Sequence, residues 1–301
     1  MALETLAPHS KELSPGFEVR RLLPSLHRQA VGPFLFFDHF GPLQVQPDDQ
    51  HDVRPHPHIG LATVTYLLAG AMQHHDSTGA FQRIEPGAIN WMTAGRGVVH
   101  SERRPADLQG RSYPQHGLQL WVALPEGHEQ TEAAFQHVGA DDIPQAAAAG
   151  ARWRVLVGAA HGLRSPVRTL SPALFVDYQL DAGAHAELPG DADAPEQAIY
   201  LLEGQATLQQ AGAVHPLAAL KLTVLPAGAA CTLQAGDTAV RAVVIGGAPL
   251  GRRHMWWNFV ASRPEWIEQA AEDWEADRFD AVPGETERIP LPAVRWRRPA
   301  G

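Results

Sequence analysis

From Phe17 to about Gly247 the chain is a succession of short apolar or alternating runs broken by turn residues. Leu118, Leu120, Val122 and Leu124 alternate with Gln119, Trp121 and Ala123, and Leu174, Val176, Tyr178 and Leu180 alternate with Phe175, Asp177 and Gln179. A period of two gathers each apolar set on one face, which predicts two one-sided strands. Leu61 to Leu68 is apolar, carries β-branched Thr63, Val64 and Thr65, and lies between Gly60 and Gly70. It reads as a strand buried on both faces. Helical spacing is confined to the C-terminal end, where Trp266, Ala270 and Trp274 fall at i, i+4 and i+8 beside Ile267 and Ala271. Ser262 can cap this helix, Pro264 and Glu265 suit its first turn, and its apolar stripe is expected to dock on a β unit. The fold class is all-β.

A weak internal repeat refines this reading. Tyr66-Leu67-Leu68-Ala69-Gly70 recurs as Tyr200-Leu201-Leu202-Glu203-Gly204 at an offset of 134, and Thr93-Ala94-Gly95 aligns with Pro226-Ala227-Gly228 at 133. Two matches at nearly one offset predict two copies of one β unit, hence a tandem barrel. The expected boundaries are 1–140 for the first barrel, 141–150 for a linker, 151–250 for the second barrel, and 251–301 for the helix and tail. A short helix is the alternative for the Ala-rich linker.

The 301 residues suit two domains of about 150 residues each. With 24 Lys and Arg against 33 Asp and Glu, the net charge is −9, and no long basic run offers a phosphate-backbone contact. Nucleic acid is not expected as a direct ligand, and Arg295, Arg297 and Arg298 around Trp296 read as a solvated tail. Apolar stretches fall short of the ~20 residues of a membrane helix. The lone Cys231 cannot close an intramolecular disulfide and is most simply a buried small residue, and Met1 to Gly16 has polar residues where a secretory core would sit. A reduced, cytoplasmic protein is expected.

Histidine changes the picture. The chain has 16, and His51, His56, His58, His74, His75 and His100 fall within one short span. His56-Pro57-His58 precedes a predicted strand, and His100-Ser101-Glu102 follows the Gly95-Arg96-Gly97 turn, so each i, i+2 pair projects to one side. If the strands bearing the pairs face one another inside a barrel, three imidazoles and a carboxylate converge and leave up to two positions open in an octahedral site. These ligand types suit Fe(II), with Mn, Co, Ni, Cu and Zn also compatible. Open positions suit catalysis, whereas a closed structural zinc more often recruits cysteine. Taken singly, either His-x-His or His-x-Glu is as well explained by a surface loop or a satisfied core histidine.

The segments GPFLFFDHFGP, RPHPHIG, TVTYLLAG, HHDSTGAF and INWMTAGRGVVHSE resemble the signature blocks of the pirin family, a branch of the cupin superfamily. The resemblance implies two tandem jelly-roll type cupin barrels packed face to face, with a C-terminal helix and one metal in the first barrel. It carries the ligand roles onto His56, His58, His100 and Glu102. The general cupin acidic ligand, four residues after His58, is Ala62 here, so Glu102 has to supply the carboxylate. Shifted by the repeat offset, the four positions land on Gly190, Ala192, Leu233 and Ala235, with His185 alone nearby, so the second barrel is expected to be metal-free.

Around the site, His51, His74, His75 and His116 are candidate hydrogen-bond donors, although surface or core roles also explain them. Asp38 and Asp76 are candidates to orient a ligand histidine. Phe34, Phe36, Phe37 and Trp91 are candidates for an aromatic pocket, with core packing as the alternative. The resemblance further implies quercetin 2,3-dioxygenase activity. A flavonol would bind through its 3-hydroxyl and 4-carbonyl, Glu102 would take the hydroxyl proton, O2 would open the ring, and carbon monoxide would leave with a depside. The alternative implied is a regulatory binder of a protein partner, with the metal as a redox-responsive switch. A monomer is expected in either case.

Overall fold

A computed structural model of the chain describes residues 3–14, 16–190, 193–228 and 230–296. The molecule is mostly strand, with one α-helix among the described residues, α1 at Pro264–Glu275. Seven strands carry the first repeat: β1 (Val53–His58), β2 (Leu61–Ala69), β3 (Met72–Asp76), β4 (Phe81–Ile84), β5 (Ile89–Thr93), β6 (Val98–Arg103) and β7 (Tyr113–Ala123). Seven more repeat them in order: β8 (His185–Leu188), β9 (Glu196–Glu203), β10 (Ala206–Gln210), β11 (Ala213–Leu217), β12 (Leu222–Val224), β13 (Cys231–Ala235) and β14 (Val240–Gly247).

The pairings repeat as well. In one seven-stranded sheet β2 lies between β5 and β7, and in another β9 lies between β12 and β14. Tyr66 of β2 faces Ile89 and Leu118, and Tyr200 of β9 faces Leu222 and Val243. Both tyrosines are fully buried. Each copy also has a four-stranded sheet, in the orders β1-β6-β3-β4 and β8-β13-β10-β11. The alternating runs form the strands expected of them, β7 and Ala173–Leu180, and the apolar run after Gly60 forms β2. Part of the Ala-rich segment, Gln145–Ala148, is an edge strand on Ala151–Val157 rather than a free linker or a helix.

By internal contacts the chain divides into two compact units. One gathers the described residues of Met1–Ser10, Arg20–Asp38 and Asp141–Pro249; the other gathers Lys11–Val19, His39–Ala140 and the described residues of Leu250–Gly301. The first has a large apolar cluster in which Tyr178, Ile199, Leu201, Leu208, Leu233 and Val244 are all buried. The second spreads its apolar residues over separate clusters, one around Phe17, Phe40 and Leu67, another around Met92, Ala94 and Val98. A third joins α1 to Ile59 and Val99.

The helix docks as its stripe predicts, with Ile267, Ala270 and Trp274 buried. Its N-cap is Arg263, and no side chain caps it. Ser262 serves elsewhere: its amide (2.8 Å) and hydroxyl (2.5 Å) both donate to the buried carboxylate of Glu129. Arg253 Nε lies 3.2 Å from the same carboxylate. Burial pushes the Glu129 carboxyl up, against the bonds from Ser262 and the charge of Arg253. This cluster holds the hairpin β15 (His254–Trp256) and β16 (Phe259–Ala261), from which α1 starts. At the tail, Arg295 pairs with Glu275 at 2.6 Å; Arg297 and Arg298 lie outside the described residues.

Breaking a buried ion pair strands the remaining charge, at a cost of about 3–5 kcal/mol. Glu129→Ala is expected to lower the urea midpoint by an amount in that range once multiplied by the m-value. Glu129→Gln, which still accepts from Ser262, should cost less.

Candidate metal centre

Strand periodicity assembles this site. His56 and His58 flank Pro57 on β1, so their rings share a face. β6 pairs antiparallel with β1, placing His100 opposite His56 and Val98 opposite His58. On its other edge β6 pairs with β3, with Asp76 opposite His100 and His74 opposite Glu102. Cross-strand partners share a face, so one side of this sheet carries His56, His58, His100, Glu102, His74 and Asp76. Between His100 and Glu102 the register shifts, because Glu102 faces Val53. Such a bulge bends a strand and re-aims its side chains.

Three imidazoles converge. The ring centroids of His56 and His100 are 4.3 Å apart, and His58 lies 5.0 Å from each. One nitrogen from each ring falls within 4.8 Å of the others, a set that could hold a metal ion. Nε2 of His58 and Nε2 of His100 face each other at 3.1 Å. The opposite nitrogens are fixed by backbone: Nδ1 of His56 donates to the carbonyl of Arg54 at 2.9 Å, and Nδ1 of His58 to that of Asn258 at 3.1 Å. A ring that donates from Nδ1 presents the Nε2 lone pair to a ligand. All three rings are buried, and burial pushes His56 down to about 4 and His58 and His100 well below the usual histidine range. Neutral imidazole is the form that binds a metal. Donor type, convergence and protonation therefore fit a divalent transition ion.

Glu102 shares the face but stands outside the 4.8 Å set, and burial raises its carboxyl to about 7. His74 stacks on Phe135 at 4.5 Å and bonds Asp76 Oδ2 at 2.8 Å, while its ring centroid is 5.3 Å from that of His100. Burial would raise Asp76, but the bonds from His74, Thr78 and the Ala80 amide hold it below its usual value. The expectation that Asp38 or Asp76 orients a triad ring is corrected: carbonyls hold His56 and His58, Asp76 serves His74, and Asp38 takes a bidentate pair from Arg21 at 2.8 and 2.7 Å. Among the remaining histidines, His51 stacks on Phe17, His75 lies 3.6 Å from Glu285, and His116 Nε2 bonds His39 Nε2 at 2.7 Å.

The aromatic contact to the triad comes from Trp121, edge-on to His58 at 5.1 Å. Phe37 packs against Tyr200, Phe36 lies under Arg21, and Phe34 and Trp91 are buried. Trp121 occupies the face of β7 that the alternation assigns away from Leu118 and Leu120, a signal available in the sequence. The carbonyls of Arg54 and Asn258 have no sequence signature.

In the second repeat the pairing moves the counterparts of the β1 histidines from Gly190 and Ala192 to Ala186 and Leu188, since Ala186 faces Leu233 and Leu188 faces Cys231. Ala192 lies outside the described residues, and His185 is exposed. The positions matching Asp76 and His74 are Leu208 and Ala206. Ala186, Leu188, Ala206, Leu208, Cys231 and Leu233 all belong to the apolar core.

Because the folded histidines titrate below the ordinary value of 6.5, the unfolded chain binds more protons between that value and about 4. Metal-free protein is expected to lose stability as pH falls through this window, with His56→Leu flattening the loss in pH-dependent denaturation curves.

A family model described as Pirin matches residues 16–122, and one described as the Pirin C-terminal cupin domain matches residues 175–280. A pirin-like protein of Caulobacter vibrioides is 40% identical over 282 residues, covering 92% of this chain and 94% of that protein. The crystal structure of a quercetin 2,3-dioxygenase from Acinetobacter baumannii superposes with a TM-score of 0.88 at 31% identity, over 99% of this chain and 97% of that one. A bacterial pirin from Escherichia coli, solved in complex with nickel(II), shares the fold with a TM-score of 0.63 at 14% identity, over 82% of this chain and 99% of that one. With two cupin domains in tandem and full-length relatives of this kind, the chain belongs to the pirin family.

Proposed function

We propose that this chain is a metal-dependent dioxygenase that opens a flavonol such as quercetin at C2–C3 with O2 and releases carbon monoxide. The observation that carries the reading is the buried triad of His56, His58 and His100, which converges on the sheet face that also bears Glu102. Likeness to the Acinetobacter quercetin 2,3-dioxygenase over nearly the whole chain supports the choice of substrate class.

His56, His58 and His100 would hold the ion, with Glu102 as the acidic group beside them. An Fe(II) ion, or Ni, Co, Mn, Cu or Zn in its place, supplies a Lewis acid and a template for the 3-hydroxyl and 4-carbonyl of the flavonol. Glu102 would be the group that accepts the 3-hydroxyl proton, its carboxylate free to leave any contact with the ion. Its place on β6 just past the bulge of β1, outside the tight set of imidazoles, suits a side chain that has to move. Trp121 offers its edge to His58 and a flat apolar surface next to the site. Across β2 and β7 the same face bears Thr63, Thr65 and Gln119, with Thr65 donating to Gln119 at 2.9 Å. These groups suit an aromatic ligand rich in hydroxyls.

Iron-loaded protein in aerobic quercetin should consume the flavonol with release of one carbon monoxide per turnover. Glu102→Gln is expected to retain metal and lose about 100-fold or more in kcat. Absence of turnover with iron, nickel, cobalt, manganese, copper and zinc would refute the reading.

A further inference from the structure

The β1–β6 ladder breaks beside the triad. His100 faces His56 while Glu102 faces Val53, so Arg54 and Pro55 together oppose Ser101. Pro55 has no N–H to give to a ladder. The alternation turns Ser101 and Arg103 to the side opposite His100 and Glu102. On that side the segment following α1 reaches both strands. The Ile289 amide donates to the carbonyl of Pro55 at 2.8 Å. The Glu285 carboxylate accepts from Ser101 Oγ at 2.7 Å and Arg103 Nε at 3.0 Å through Oε1, and from Arg103 Nη2 through Oε2. Ser101 is fully buried, and the Glu285 side chain is only 12% exposed. The segment is tied to the helix in turn: Trp274 Nε1 donates to the Ile289 carbonyl at 3.0 Å, and Arg288 donates to the Trp274 carbonyl at 2.7 Å.

We propose that Glu285 is a positioning residue for the metal centre, clamping β6 from behind where it faces the bulge of β1 and so fixing where Glu102 stands relative to the three imidazoles. The inference rests on the reading of the triad as a metal site. A ladder interrupted by a bulge and a proline has lost the hydrogen bonds that normally fix the offset between two strands. The two-oxygen grip on Ser101 and Arg103, with the Ile289 bond to Pro55, replaces them with contacts from a third segment. Glu287 also reaches Arg103, at 2.7 Å, but it makes no bond to Ser101.

Cobalt(II) added to the full-length metal-free protein tests this without reference to turnover. The visible ligand-field bands report ligand geometry, and competition with a chelator reports affinity. Glu285→Ala should alter the bands and weaken cobalt binding about 10- to 100-fold, the usual effect of losing a group that braces metal ligands. Glu285→Gln, which retains one acceptor oxygen, should fall between that variant and the parent, and Glu287→Gln should leave the bands as they are. If Glu285→Ala does not fold, Ser101→Ala removes one bond of the clamp and should shift bands and affinity the same way by less. Bands and affinity unchanged in both Glu285→Gln and Ser101→Ala would overturn the proposal while leaving the triad standing. A parent protein that takes up no cobalt would overturn the metal-site reading itself, and the clamp with it.

Discussion

The register that sets His100 opposite His56 is the constraint on which the site depends. Side chains alternate along a strand, so a slip of one residue between β1 and β6 would send His100 to the opposite face and leave Ser101 among the rings. Two strands alone would hold that register weakly where their ladder is interrupted. Here β6 is also paired along its other edge with β3, and the β15–β16 hairpin lies against the end of β1, where Ile59 bridges Phe259. Gly60 permits that approach: its φ is +68°, and a Cβ there would meet the Val260 carbonyl oxygen at 2.0 Å. The same hairpin delivers the Asn258 carbonyl that orients His58. Register, hairpin and ring orientation are thus one connected arrangement.

The duplicated scaffold shows what the sequence places on it. In the second repeat the rows corresponding to His56, His100 and Asp76, and to Glu102 and His74, read Ala186, Leu233 and Leu208, and Ala235 and Ala206. The Thr65–Gln119 pair becomes Ile199–Val244. The pairings are kept while the interior changes from polar to apolar, and these positions join one large apolar cluster. A polar row costs burial energy, since uncompensated polar groups in an apolar surrounding are expensive. The unit holding the triad offsets that cost with apolar clusters outside the ring face, including the tryptophan-rich one beneath α1.

Much of this was legible because it follows from periodicity. Alternation gives β7 and the strand Ala173–Leu180, the apolar run after Gly60 gives β2, the 3.6 period gives α1, and the i, i+2 spacing of His56 with His58 puts two rings on one face. Less was legible where loops or backbone decide. The offset of 134, set by Tyr66 and Tyr200, overshoots the β1 counterparts by four residues, because the connection at 189–195 is longer than the one at 59–60. Loops absorb such insertions while strand pairing stays fixed. Ser262 looked like a cap because its position and residue type fit one, but a buried carboxylate without enough donors competes for the hydroxyl more strongly than an exposed helix end does. Asp38 and Asp76 were plausible partners for a ligand ring by residue type, whereas the true partners are carbonyls that any residue could supply.

The electrostatics of the triad follow from one dominant cause. Desolvation lowers His56, His58 and His100 and raises Glu102, so each group is driven toward its neutral form. For the imidazoles this is the ligating form, and it needs no nearby positive charge to maintain it. For the carboxyl it is not, since a protonated acid is a poor ligand. A divalent cation among the rings reverses the second effect and reinforces the first, because its field favours carboxylate and disfavours imidazolium. Burial therefore leaves the histidines in the ligating form and Glu102 in the protonated form, so an ion held by the rings would act chiefly on the state of Glu102. Three buried neutral nitrogens and one acid whose charge would follow that of an ion divide the roles that the proposed reaction requires.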